Sequence, residues 1–290
     1  MIRRNTLCSL STSVSTSVAR SVVASLFVPL ATCAAFALAS TAAYAAPVKT
    51  VESGQLTYGT AATFAPFEFT DNGKLTGFDI DLIDAISKEM QLTPNPQSMQ
   101  FSGLIPALQG GRTDLINSGM YITPARSAQV DFVPYMRIGD RIIVQAGNPS
   151  KITGRDNSVC GKTIAVTLGG IEETYARADV VRCTAAHLSA PTVMTLPTAQ
   201  DSALSLRQGR ADAIYNSTPG TVKMMSDVPG VFEAIGPEFE QTTMIGLAVN
   251  KGNDAMAASL KAALAKVVAQ GTYKQLIAKW KLPATVSIFN

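Results

Sequence analysis

Histidine is almost missing from this chain: His187 is the one histidine in 290 residues. No Cys/His cluster has zinc-site spacing, and neither a G-x-S-x-G elbow nor a phosphate-cradling glycine loop occurs. Metal-assisted hydrolysis, serine-triad chemistry and nucleotide binding through a P-loop therefore have no carrier in the sequence. No cofactor is expected, and His187 reads as a surface residue near Cys183. A charge excess is missing as well. Lys and Arg number 24 against 21 Asp and Glu, and Arg3, Arg4 and Arg20 fall in the first 45 positions. The chain beyond residue 45 is electrically balanced and has no basic block, which argues against a nucleic-acid partner. Nor does it hold an apolar run long enough to span a bilayer.

The first 45 residues differ from the rest. Residues 1–20 carry three arginines and no acid, residues 22–39 are almost wholly apolar or small, and Ala43-Tyr44-Ala45 is an A-x-A cleavage pattern. This reads as a secretory signal peptide, residues 1–45, and implies export. The alternative is an uncleaved anchor, against which stand Pro29, the many alanines and the cleavage pattern. A lipoprotein signal at Leu30-Ala31-Thr32-Cys33 is disfavoured because Thr32 stands where a smaller residue is expected. Cys8 and Cys33 leave with the signal. Cys160 and Cys183 remain, and an even count in an oxidising compartment points to one disulfide, the alternative being two buried thiols.

The remainder is organised around residues 101–132, FSGLIPALQGGRTDLINSGMYITPARSAQVDF. Ser102 is a plausible N-cap for a short helix with Leu104, Ile105 and Leu108 on its apolar face, and Gly110-Gly111 stop it. Asp114–Asn117 reads as a strand. After a turn at Ser118-Gly119-Met120, Thr123 caps a new helix with Pro124 in its first position. Arg126 then lies in the first turn, and backbone N–H groups plus a guanidinium on one spot suit a carboxylate. Elsewhere, residues 54–60 alternate as a strand, and Leu82, Ile83, Ile86 and Met90 line one face of a helix over 77–90. Strands are expected at 137–147, 162–167, 212–215 and 244–250, and helices at 172–178, 198–208, 254–270 and 272–280. Gly169-Gly170 leads from a strand into the helix of Glu172 and Glu173, acids that suit a helix N-terminus. Residues 111–118 (GRTDLINS) are echoed by 209–217 (GRADAIYNS), about 98 positions later, as if two halves share one plan. Strand ends facing each other across a gap would form a cleft.

The run GLIPALQGGRTDLINSGMYITPARSAQVDF, together with APFEF and GFDIDLIDAI at residues 65–69 and 77–86, resembles the periplasmic amino-acid-binding proteins of ABC importers, the bacterial extracellular solute-binding protein family 3. The resemblance covers about residues 48–284. It implies an α/β, type II periplasmic binding-protein fold of two lobes, each a central sheet flanked by helices, joined by two hinge strands. Lobe 1 would comprise residues 46–141 and 246–290, and lobe 2 residues 142–245. It further implies a periplasmic, monomeric, non-enzymatic protein that closes on a small carboxylate-bearing ligand, an amino acid or derivative, and docks on an inner-membrane ABC permease. The ligand-binding residues carried over are Phe64, Phe67, Ser118, Gly119, Met120, Tyr121, Arg126, Gly170, Ile171, Glu172 and Ser217. Phe64 is either a stacking platform or core, and Glu172 either a ligand contact or a partner of the helix dipole. An alternative on the same scaffold is a cyclohexadienyl dehydratase-like enzyme, with Arg126 as carboxylate clamp and Glu172 or Glu68 as general acid.

Four positions depart from the family pattern. A smaller hydroxyl residue is replaced by Tyr121, an ammonium-binding Asp by Ser217, a Thr by Ile171 and an acid by Ala61. A buried ammonium needs a negative partner. Either Glu68, Glu172 or another acid supplies it, or the ligand lacks an α-ammonium.

Overall fold

The computed structural model describes residues 48–289. The signal-peptide assignment, with Cys8 and Cys33, lies outside the described residues. Among those described, no helix is long and apolar enough to cross a membrane.

The chain begins with β1 (Gln55–Thr60) and a small antiparallel sheet of β2 (Thr63–Phe64), β3 (Glu68–Asp71) and β4 (Lys74–Thr76). Helix α1 (Phe78–Glu89) follows Gly77, where only glycine fits: φ is +140° and a Cβ would lie 1.9 Å from the Phe67 carbonyl. Leu82, Ile83 and Ile86 of α1 are fully buried, as their spacing predicts, each contributing about 1.5–3 kcal/mol of transfer free energy. Next come β5 (Thr93–Ser98), a 3₁₀ turn over Phe101–Gly103, α2 (Leu104–Gln109), β6 (Leu115–Ile116), α3 (Pro124–Ser127) and β7 (Val130–Arg137). Ser102 does not cap α2. It sits inside the 3₁₀ turn, so the N-cap is Gly103, with no side-chain hydrogen bond. Thr123 does cap α3, its Oγ1 accepting from Arg126 N at 3.2 Å, with Pro124 leading the helix.

The second half holds β8 (Asp140–Gln145), β9 (Thr163–Thr167), α4 (Ile171–Ala185), β10 (Thr192–Leu196), α5 (Ala199–Arg207), β11 (Ala213–Ser217), α6 (Thr218–Asp227) and β12 (Phe232–Phe239). The chain then returns through β13 (Met244–Asn250), α7 (Asp254–Ala269) and α8 (Thr272–Lys279), and both helices pack on α1. The strand expected over 137–147 is two strands. The break at Ile138-Gly139 is where the chain leaves one sheet for the other, and Glu238 packs so close that a Cβ on Gly139 would lie 2.5 Å from its Oε1. Cys160 and Cys183 form a disulfide that ties the loop before β9 to α4. His187 is exposed at the end of α4.

Two five-stranded sheets share one design. The first runs β5-β1-β6-β13-β7 and the second β10-β9-β11-β8-β12. In each, the first three strands are parallel, the fourth (β13 or β8) runs the other way, and the last (β7 or β12) pairs antiparallel with it and so runs with the first three. The repeated sequence supplies the central strand of both. Its aspartate does the same work twice: Asp114 accepts from Thr57 N of β1 at 2.8 Å, and Asp212 from Thr163 N of β9 at 2.7 Å.

Candidate functional site

The loop after β6 and the N-terminus of α4 face each other across a cavity of about 350 Å³. From the first half it is lined by Phe64, Gly119 and Tyr121, and from the second by Gly170, Ile171 and Glu172. Thr167, Asn216 and Gly220 also reach it, and it extends into a bay between α5 and α6, against Ala203, Met224 and Phe232. No feature of the sequence marked that bay, because its walls are ordinary helix faces that meet only in the fold.

Five other expected site residues lie outside the cavity lining. Phe67 is fully buried and packs on the Phe64 ring at 5.1 Å, so it backs the wall. Met120 is buried among Leu104, Leu108 and Ile116. Ser118 is buried, its hydroxyl accepting from Ala61 N and donating to Glu68 Oε1, both at 2.9 Å. Ser217 is buried and caps α6, its Oγ accepting from Gly220 N at 3.0 Å. Arg126 spans the two halves. Its Nη1 donates to Tyr121 O at 2.7 Å and its Nη2 to Gly169 O at 2.9 Å, with the guanidinium 5.3 Å from the Phe101 ring centre. The Gly119 N–H, expected to face a ligand, instead donates to Asp79 Oδ2 at 2.8 Å.

Two groups of buried acids flank the cavity. Glu68 and Asp79 are fully buried beneath the Gly119 loop. Burial pushes the Asp79 carboxyl up to about 6, opposed by hydrogen bonds from Tyr135 and Gly119, and drives Glu68 well above the usual carboxylate range. Glu68 Oε2 and Asp79 Oδ1 are enclosed without a hydrogen-bond partner among the described residues, and repulsion from Asp79 adds to the effect of burial on Glu68. Glu68 therefore supports the loop from behind rather than facing the cavity. On the other side, Glu172 lines the cavity and its carboxyl folds back over Gly170, where a Cβ would lie 2.6 Å from its Oε2. Burial raises its pKa, and the Arg126 charge works against that rise. Asp140, at the start of β8, is fully buried, and Tyr121 Oη donates to its Oδ1 at 3.2 Å. Burial and then repulsion from Glu172 raise Asp140 well above its ordinary value. Sequence reasoning missed Asp140, which looks like an ordinary strand residue until the chain crossing places it beside the cavity.

A model of the bacterial extracellular solute-binding proteins, family 3, matches residues 56–283. The chain belongs to that family. Among relatives, it is 32% identical to the putative ABC transporter arginine-binding protein 2 of Escherichia coli K12, over 77% of this chain and 89% of that one. Among solved structures, an ancestral arginine-binding protein bound to arginine superposes with a TM-score of 0.73 at 35% identity, covering 78% of this chain and 98% of the other. The ancestral amino acid-binding protein AncCDT-1, a precursor of cyclohexadienyl dehydratase, matches with a TM-score of 0.67 at 32% identity, covering 78% and 95%. The fold is accordingly the two-lobed type II binding-protein fold, one sheet per lobe.

Proposed function

We propose that this protein binds an amino acid or closely related carboxylate between its lobes in the periplasm and hands it to an ABC permease. The observation that carries the reading is the cavity itself. Its walls come from both halves of the chain, and Arg126 reaches from one half to the carbonyl of Gly169 in the other. A site divided in this way is completed by closure. The ligand carboxylate is assigned to the N-terminus of α4, whose first-turn N–H groups and dipole favour an anion, with the Arg126 guanidinium alongside. Phe64 serves as the apolar platform. Residues 46–141 and 246–290 move as one lobe and 142–245 as the other, the chain acting as a monomer after removal of residues 1–45.

A thermal-shift screen of residues 46–290 against the common amino acids and their 2-oxo acids tests this. A ligand at about 100 times its Kd stabilises the folded state by roughly 2.7 kcal/mol. A panel without any shift overturns the amino-acid reading.

A second reading is an enzyme of the cyclohexadienyl dehydratase kind. It is favoured by one observation, a cavity-lining Glu172 whose burial raises its pKa toward the range of a general acid. Product formed from prephenate or arogenate by purified protein would establish it.

A further inference from the structure

The bay that opens off the cavity is built from elements of the second sheet alone. Strands β9, β10 and β11 are parallel, so α4, α5 and α6 all begin at the strand ends that face the cleft. From there α5 and α6 run away from the cleft over the same two strands, β8 and β11. Each lines the bay with one stripe of residues a helical turn apart. On α5 the stripe is Ala199, Ala203 and Arg207, and on α6 it is Gly220, Met224 and, at the helix end, Val228. From Ala199 to Arg207 the wall is about 12 Å long at 1.5 Å per residue. Ile214 of β11 and Phe232 of β12, both buried, form the floor.

The bay is apolar and unfilled. Ala203, Met224 and Val228 pack against the core of this sheet and are still only partly buried, so apolar wall is left uncovered. Interiors pack to the density of organic crystals, and apolar surface facing a gap forfeits its contacts. The charges at the rim answer each other, Lys223 Nζ donating to Asp227 Oδ2 at 2.6 Å. An occupant of the bay therefore needs no charge of its own. The whole cavity, about 350 Å³, falls in the range that encloses drug-sized ligands, ~300–1,000 Å³.

We propose that the α5–α6 bay takes an apolar arm of the ligand, a chain of several carbons that enters between Ala199 and Gly220 and lies over Ile214 and Phe232. The arm is carried on the α-carbon or on the nitrogen of an amino acid. This rests on the amino-acid reading above and deepens it: the substrate is an amino acid with a long apolar chain. Ala203 and Met224 set how long and how thick that chain can be.

The experiment is titration calorimetry on the unmodified protein with two graded series. One is straight-chain L-2-amino acids from L-alanine to L-2-aminodecanoic acid, and the other N-acyl-L-alanines from acetyl to octanoyl. In one of the two, affinity is expected to rise roughly fourfold per methylene and to stop rising once the arm spans the bay. In Ala203→Phe, whose ring fills the bay, the ratio of long-arm to short-arm affinity should fall at least tenfold. Affinity that is flat or falls with arm length in both series overturns the inference, and so does an unchanged ratio in folded Ala203→Phe. Binding of a common amino acid in the thermal-shift panel, with none by either series, also overturns it and leaves the amino-acid reading standing. Absence of binding by panel and series alike overturns both. The graded series on the unmodified protein decide the matter even where the variant does not fold.

Discussion

At the scale of single residues, the most consequential group is the pair of acids under the Gly119 loop. Glu68 and Asp79 are both fully buried, and Tyr135 Oη and Gly119 N donate to Asp79 Oδ2 at 2.6 and 2.8 Å. With two donors already stabilising its charge, Asp79 is the more readily ionised of the two, while burial and repulsion from Asp79 favour the neutral form of Glu68. The folded chain therefore holds a proton that the unfolded chain has released above about pH 4. A raised folded pKa means that stability is greatest below the unfolded value and declines as pH rises through the folded one. For Asp79 that window runs up to about 6, and Glu68, raised by burial, declines in the same direction above its ordinary range. Glutamine at position 68 keeps an acceptor for Ser118 and cannot ionise. Glu68→Gln is thus expected to flatten the dependence, removing about 1.4 kcal/mol per pH unit over which the extra proton is held. Urea unfolding of both proteins at about pH 5 and about pH 8 checks this, and parallel changes in the two would show that Glu68 holds no extra proton in the folded chain.

At the scale of elements, local chemistry decided what could be read in advance. The α1 face, the glycine stop after α2, the Thr123 cap and the central strands of both sheets follow from spacing, capping and repetition. β5 could not be foreseen, since TPNPQS carries two prolines. It forms because it pairs at the sheet edge, where a missing N–H is tolerated. α6 was hidden by Ser217, which reads as a strand-end ligand residue but is engaged as the helix cap, with Pro219 just inside. α4 runs seven residues beyond its expected end at Ala178, to Ala185, and the added turns are anchored from outside. Asp179 accepts from Tyr215 Oη at 2.8 Å and from Arg155 Nε at 3.0 Å, and Cys183 is tied to Cys160, 23 positions earlier. Closing a loop of that length stabilises by roughly 3 kcal/mol on the chain-entropy model. In a domain of this size, replacing both cysteines by serine should lower Tm by about 6–12 °C. Differential scanning of oxidised protein and the double variant would show it, and an unchanged Tm would mean the bond adds nothing to the packing around α4.

At the scale of the whole molecule, the two lobes meet across the cavity, with α5 of one also lying against β2 of the other. Arg126 Nη2 reaches Gly169 O, Gly169 lies against Ser102, and Lys223 lies 5.7 Å from the Phe69 ring centre. The cavity wall was legible in the sequence where one continuous motif forms it, at Gly119 and Tyr121 and again at Gly170–Glu172. It was illegible at Asp140 and along α5 and α6, which reach the site only through the chain crossing. A contact made between the lobes favours the form in which they are together, so removing it shifts the balance toward the open form. A hydrogen bond from a charged donor contributes about 1.5–3 kcal/mol, and the one from Arg126 to Gly169 exists only when the lobes are together. Arg126→Ala removes it from the closed form alone. The empty variant should therefore show a larger radius of gyration by solution scattering than the native chain, with Tm within a few degrees. Its affinity for whichever ligand the thermal-shift panel selects should fall by at least tenfold. Arg126→Lys keeps the charge but lacks the planar fork that serves Tyr121 O and Gly169 O at once, so it should fall between the two. Equal radii in all three proteins, with affinity still lost in Arg126→Ala, would place Arg126 on the ligand and not on the hinge balance. Equal radii and equal affinities would remove it from both.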